Sequence, residues 1–108
     1  MKPSFVIPTR DTPELLLACL ASVVREAPGA QVIVVDDGGS DQIGRRAREC
    51  WSKVVTLRNE VGRGFSAAAN AGMVVADGEV LVCLNSDTEL ERGSVDALLR
   101  ALAEHPDL

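Results

Sequence analysis

Apolar runs of strand length occur four times, at Ser4–Ile7, Val32–Val35, Val54–Leu57 and Val80–Leu84. None alternates with polar positions, which is the pattern of strands covered on both faces. Between the runs the period changes to that of a helix. Thr12-Pro13-Glu14 supplies an N-cap, a first-turn proline and an acid suited to the helix dipole; Leu16, Leu20, Val23 and Val24 then form a stripe that stops before Pro28-Gly29. Asp41 is placed to cap a second helix that carries Ile43, Ala47 and Cys50 on one side. Phe65, Ala68, Ala69, Gly72, Met73 and Ala76 keep helical spacing until Asp77-Gly78, and their small side chains predict close approach of a third helix to a sheet. A fourth helix is predicted from about Ser94 to His105-Pro106, with Val95, Leu98, Leu99 and Leu102 on one face.

The order βαβαβαβα predicts an α/β fold, a Rossmann-like parallel sheet with right-handed crossovers and helices on both faces. Every βα loop of such a sheet opens on one edge, where ligands bind. The length of 108 residues, with 46% hydrophobic and 25% charged residues, fits one globular domain over 1–108 and excludes a disordered chain or a disulfide miniprotein. A net charge of −5 without a basic stripe argues against nucleic acid as a partner, and an anionic small molecule would need a metal or helix N-termini to hold it. Cys19, Cys50 and Cys83 are odd in number and scattered, as expected of reduced core thiols and a cytoplasmic protein. No apolar run approaches the roughly 20 residues of a membrane span, and Met1-Lys2-Pro3 leads into a strand rather than a signal peptide.

Chemistry gathers in the four loops at the ligand edge. Pro8-Thr9-Arg10-Asp11 follows the first run, and Asp36-Asp37-Gly38-Gly39 ends the second with paired carboxylates and a backbone free to adopt positive φ. Successive residues at a strand end point to opposite sides. One aspartate can therefore face the crevice and accept from a ribose hydroxyl or a base N–H while the other braces the loop. Asp37 is favoured for the ligand and Asp36 for the brace, with turn chemistry alone as the competing explanation. Asn85-Ser86-Asp87 after the fourth run offers a carboxylate and a neutral oxygen two residues apart, a sparse hard-oxygen set suited to Mg²⁺ or Mn²⁺. Asp87 or Thr88 as the start of the next helical segment is the alternative.

Gly62-Arg63-Gly64-Phe65-Ser66-Ala67 spells the dinucleotide fingerprint, but it follows the third strand at a distance instead of closing the opening βαβ unit. It reads better as a loop that lets backbone and Arg63 approach an anion, with Arg63 as a plain surface charge the alternative. His105, the only histidine, sits in a last helical turn, Ser40 lacks a nucleophile elbow, and Phe5, Trp51 and Phe65 read as core.

Taken together, Ser4–Arg10, Val34–Asp41, Asn59–Gly62 through Asn70-Ala71-Gly72, and Leu84–Asp87 resemble, in order and spacing, the N-terminal half of a family 2 glycosyltransferase with the GT-A fold. That resemblance implies a nucleotide-diphosphate sugar as ligand, a UDP- or dTDP-sugar, held by Pro8, Thr9, Arg10, Asp36, Asp37, Asn59, Gly62, Arg63, Asn70 and Asn85. It implies Mg²⁺ or Mn²⁺ on Asp87, with Asn85 standing where the family's DxD element has its first acid. It also implies inverting transfer to an acceptor hydroxyl, with the catalytic base and acceptor segment expected in a C-terminal half beyond this sequence. A reading of another class is a non-catalytic module that keeps the fold and associates, for instance as a homodimer, through the exposed edge of its fourth strand.

Overall fold

A computed structural model of the chain describes residues 1–39 and 42–107. The predicted alternation is present: β1 (Pro3–Thr9), α1 (Pro13–Glu26), β2 (Gln31–Asp37), α2 (Ile43–Cys50), β3 (Val55–Asn59), α3 (Phe65–Val75), β4 (Val80–Cys83) and α4 (Ser94–Glu104). All strand pairs are parallel and the sheet order is β3-β2-β1-β4. The chain steps outward from β1 to β3, then crosses back to lay β4 on the other side of β1. A topological switch point therefore lies between β1 and β4, and their carboxyl ends diverge there.

Reversing the direction of travel while keeping right-handed crossovers moves the connecting helix to the other face of the sheet. One core accordingly packs Phe5, Ile7, Val32 and Val34 against Leu16, Leu20 and Val23 of α1, Ile43 and Ala47 of α2, and Val95 of α4. On the opposite face Val6, Ile33 and Val35 meet Ala68 of α3. Every residue of β1, and all of β2 but Gln31, is buried, as two-sided coverage requires. β3 and β4 depart from that expectation. β4 alternates between half-buried and exposed positions, with Leu81 and Cys83 open, because α3 covers β1 and β2 but not the strands beside them. Among the described residues no helix is long and apolar enough to cross a membrane.

Close approach of α3 is borne out at Gly72, where an added Cβ would stand 2.3 Å from Cγ1 of Val6 and 3.2 Å from Cγ2 of Val35. Three local expectations need correction. Thr12 occupies the N-cap of α1 but makes no side-chain cap bond, its hydroxyl lying instead 3.4 Å from those of Thr9 and Ser86. Only Cys19 is a core thiol; Cys50 and Cys83 are free and exposed. Phe65 is 50% exposed, because as the first residue of α3 it borders an open cleft instead of the core. The predicted Asp41 cap, like Ser40 and Leu108, lies outside the described residues.

Candidate functional site

The ends of β2 and β3 lock together residue by residue. Parallel register sets Asp36 beside Arg58 and Asp37 beside Asn59. Asp36 accepts from the Arg58 guanidinium and, at 3.0 Å, from the backbone N–H of Gly39. Asp37 turns the other way, and its Oδ1 accepts from Asn59 Nδ2 at 2.8 Å and from Arg63 N at 2.9 Å while Oδ2 accepts from Gly64 N at 2.9 Å. The Asn59 amide, the two backbone N–H groups and the nearby Arg10 charge all favour the carboxylate form, and together they hold Asp37 below its usual pKa against the cost of burial. Gly38 allows this crossing of loops. Its φ is +80°, and a Cβ there would lie 2.4 Å from the backbone N of Gly62.

The glycine loop thus serves a purpose its sequence did not disclose. Its amides at Arg63 and Gly64 are directed to an internal anion, Asp37, and are not presented to a ligand, which corrects the reading of this loop as a backbone anion cradle. Glycines of a dinucleotide fingerprint leave those amides open to a pyrophosphate, so the fingerprint fails here on geometry as well as on position.

The loop after β4 forms a closed turn. Thr88 donates to the Asn85 carbonyl from its backbone N at 3.1 Å and from its hydroxyl at 2.7 Å, and the next helix begins only at Ser94. Asp87 therefore does not start a helix but stands exposed on the turn. One side of α1 grips this loop along its length. Cys19 Sγ lies 3.9 Å from the Asn85 carbonyl, Ser22 Oγ accepts from Leu90 N at 2.9 Å, Arg25 donates to the Leu90 carbonyl at 2.6 Å, and Glu26 accepts from Gly93 N at 2.6 Å. Burial pushes the Cys19 thiol above its ordinary pKa, so it stays protonated. Sequence reasoning missed these residues, since nothing in a helical stripe marks a serine that receives a loop amide 68 positions away. Removing that acceptor in Ser22→Ala is expected to cost about 1–2 kcal/mol. Hydrogen exchange would show it as selective loss of protection at the Leu90 amide.

These loops enclose an open cleft of ≈ 460 Å³ at the carboxyl ends of the strands. Pro8, Thr9 and Arg10 line it from β1, Asp37 from β2, Gly62, Gly64 and Phe65 from the β3–α3 segment, and Asn85, Ser86 and Asp87 from the turn after β4. Of the residues singled out from the sequence, Asp36, Asn59, Arg63 and Asn70 do not line it. Asp36 faces the α2 side, Asn59 buttresses Asp37, the Arg63 side chain is exposed outside the lining, and Asn70 is exposed on α3. The donor set for a cation is one carboxylate with an amide neighbour. Among the described residues no group of three His, Cys, Asp or Glu side chains converges. Such a set fits Mg²⁺ or Mn²⁺, which take few protein ligands and keep places for phosphate and water, and it does not fit a closed zinc site.

Residues 4–108 match the family model described as Glycosyl transferase family 2. The chain belongs to that family. It is 27% identical over 105 residues to the glycosyltransferase GlyG of Streptococcus pneumoniae serotype 4, covering 94% of this chain and 35% of GlyG. The structure of S. aureus TarS 1-349 in complex with UDP-GlcNAc superposes with a TM-score of 0.86 at 22% identity, over 97% of this chain and 32% of that one. The mannosyltransferase PcManGT of Pyrobaculum calidifontis, in complex with GDP-Man and Mn²⁺, superposes with a TM-score of 0.84 at 22% identity, over 94% of this chain and 32% of that one. The fold is thus that of the GT-A glycosyltransferases, and the chain spans about a third of the length of these relatives.

Proposed function

We propose that the cleft binds the nucleotide-diphosphate sugar of a glycosyl transfer reaction. The observation that carries this reading is the convergence at one switch point of the braced Asp37 carboxylate, the Arg10 guanidinium and the exposed Asp87 on its turn. Each part has a task that its geometry suits. Among the described residues Asp37 Oδ2 accepts one bond, from Gly64 N, which leaves an acceptor position for a ribose hydroxyl. Pro8 and Thr9 end a fully buried strand and give the base a rigid wall. Arg10 places a positive charge over the region where a diphosphate would lie.

Asp87, with Asn85 beside it, would hold Mg²⁺ or Mn²⁺ against the diphosphate. A divalent cation there supplies positive charge to a leaving nucleoside diphosphate. Support for the ligand class comes from the UDP-GlcNAc and GDP-Man complexes of the two structural neighbours, and for the cation from the Mn²⁺ of the second. Neither carboxylate of the cleft suits a general base. Asp37 is held in its ionised form by three donors, which weakens it as a proton acceptor, and Asp87 is assigned to the cation. The proposal therefore gives this chain the donor side of the reaction.

Isothermal titration with UDP-, dTDP- and GDP-sugars, with and without Mn²⁺, tests it. Saturable binding of at least one donor is expected, strengthened by Mn²⁺ and weakened at least about tenfold in Asp87→Ala, the scale of a lost charge-assisted contact. No binding by the folded chain, or binding indifferent to both Mn²⁺ and Asp87→Ala, would overturn it.

A further inference from the structure

Asp36 and Asp37 are adjacent in sequence but serve two different cavities. Asp37 lines the donor cleft, whereas Asp36 lies at the back of a second cavity of ≈ 440 Å³ between α2 and β3. The walls of this second cavity carry Arg45 and Arg48 from α2 and Arg58 from β3, with Thr56 and Gln42 as neutral polar neighbours. In a chain of net charge −5, four of the nine arginines, Arg45, Arg46, Arg48 and Arg58, lie on these two short elements. Such clustering is not an average surface.

The charges there are unequally matched. Arg58 is neutralised by Asp36, whose other oxygen accepts from Gly39 N, so the buried acid presents little free negative charge to the cavity. Arg45 meets Glu49 at 3.7 Å with both side chains about two-thirds exposed, a pair that contributes little and exchanges easily with another anion. Arg48 is held by a neutral group, the Thr56 hydroxyl, and among the described residues it forms no ion pair with a carboxylate. Arg45 and Arg48 are three residues apart, hence on one helix face, so two guanidinium forks open into the same space. Guanidinium forks match the oxygen geometry of phosphate, and the hydroxyl of Thr56 adds a neutral donor of the right kind.

We infer that this cavity is an anion site for a phosphate group, separate from the donor cleft and filled either by a free phosphate or by the headgroup phosphate of a lipid. The site stands whether or not the cleft binds a sugar nucleotide. Pyrophosphate titrated calorimetrically into the chain without divalent metal is expected to bind saturably, and the double variant Arg45→Gln/Arg48→Gln to weaken it at least about tenfold. Neither arginine lines the donor cleft, so loss of binding in the double variant separates this result from the fate of the donor site. In parallel, co-sedimentation with phosphatidylglycerol vesicles, against phosphatidylcholine vesicles as control, reads the lipid source.

Pyrophosphate binding lost in the double variant supports a free-phosphate ligand. Sedimentation with phosphatidylglycerol alone, lost in the same variant, supports a headgroup. Absence of both signals, or survival of the signal in the double variant, would overturn the proposal. Arg45 and Arg48 are exposed, so circular dichroism of the double variant is expected to match that of the parent. Thr56→Val, which removes the hydroxyl that steadies Arg48 without adding charge, is the second variant, expected to weaken binding with the fold intact.

Discussion

Replacing Asp37 with asparagine is expected to destabilise the chain by about 2–3 kcal/mol, because the amide N–H₂ would face a backbone donor that a carboxylate now satisfies. Asp37 is only 7% exposed, so water cannot substitute freely for the lost acceptor. With Oδ1 retained as a carbonyl, Asn59 and Arg63 keep a partner, but Gly64 N meets a donor. The melting temperature should fall by roughly 10–20 °C for a domain of this size. The pH dependence gives the diagnostic sign. A carboxyl whose folded pKa is depressed stabilises fully above its unfolded value of about 3.9, and that contribution disappears as pH falls through the folded value. The gap in melting temperature between parent and Asp37→Asn should therefore be full above about pH 4 and narrow steadily below it. A gap that is constant with pH would show that shape, not charge, is what Asp37 contributes.

The same variant bears on function, since Gly62 and Gly64 form one wall of the cleft and Asp37 holds the amides of Arg63 and Gly64 in that loop. Loss of donor binding in Asp37→Asn would thus mix two causes, loss of the proposed ribose acceptor and a displaced wall. Asp87 does not share that ambiguity, being exposed on a turn closed by Asn85 and Thr88. Asp87→Ala is therefore the cleaner probe of ligand chemistry and Asp37→Asn the cleaner probe of architecture.

Periodicity made the order of elements legible because each strand and helix carries its own local signal, a solid apolar run or a 3.6-residue stripe. Partial exposure of β3 and β4 was not legible, since coverage of a strand depends on which helix crosses over it, and that follows from sheet order. The paired aspartates were legible as a pair, and their opposite orientations followed from strand geometry. What they bind was not, because Arg58, Asn59, Arg63 and Gly64 reach them only through parallel register and a crossing of loops at Gly38. The grip of α1 on the β4 loop was hidden for a similar reason. Ser22, Arg25 and Glu26 are polar residues of α1 that no apolar stripe singles out, and they acquire meaning only when β4 is laid beside β1.

Gly72→Val is expected to have the largest effect on stability of any single change to the α3 face, about 3–5 kcal/mol. Val6, against which the new side chain would press, is wholly buried in the central strand and has β2 and β4 on either side, so it cannot give way. Gly72→Ala separates the contributions. Alanine gains about 1 kcal/mol of helix propensity over glycine, yet its Cβ would sit 2.3 Å from Val6 Cγ1, an overlap that only a shift of α3 relieves. A net loss of about 1–2 kcal/mol is expected. Val6→Ala should remove the clash, so that adding it to Gly72→Ala costs less than its cost of about 2–3 kcal/mol in the parent. Denaturant unfolding of the four proteins measures this coupling, and strict additivity would mean that α3 stands farther from the sheet than the contact at Val6 requires. The consequence reaches the cleft, because α3 begins at Phe65 directly after Gly64, and a helix lifted at Gly72 pulls on the amide that Asp37 holds. Donor binding should therefore weaken in Gly72→Ala and recover with Val6→Ala, although neither residue lines the site.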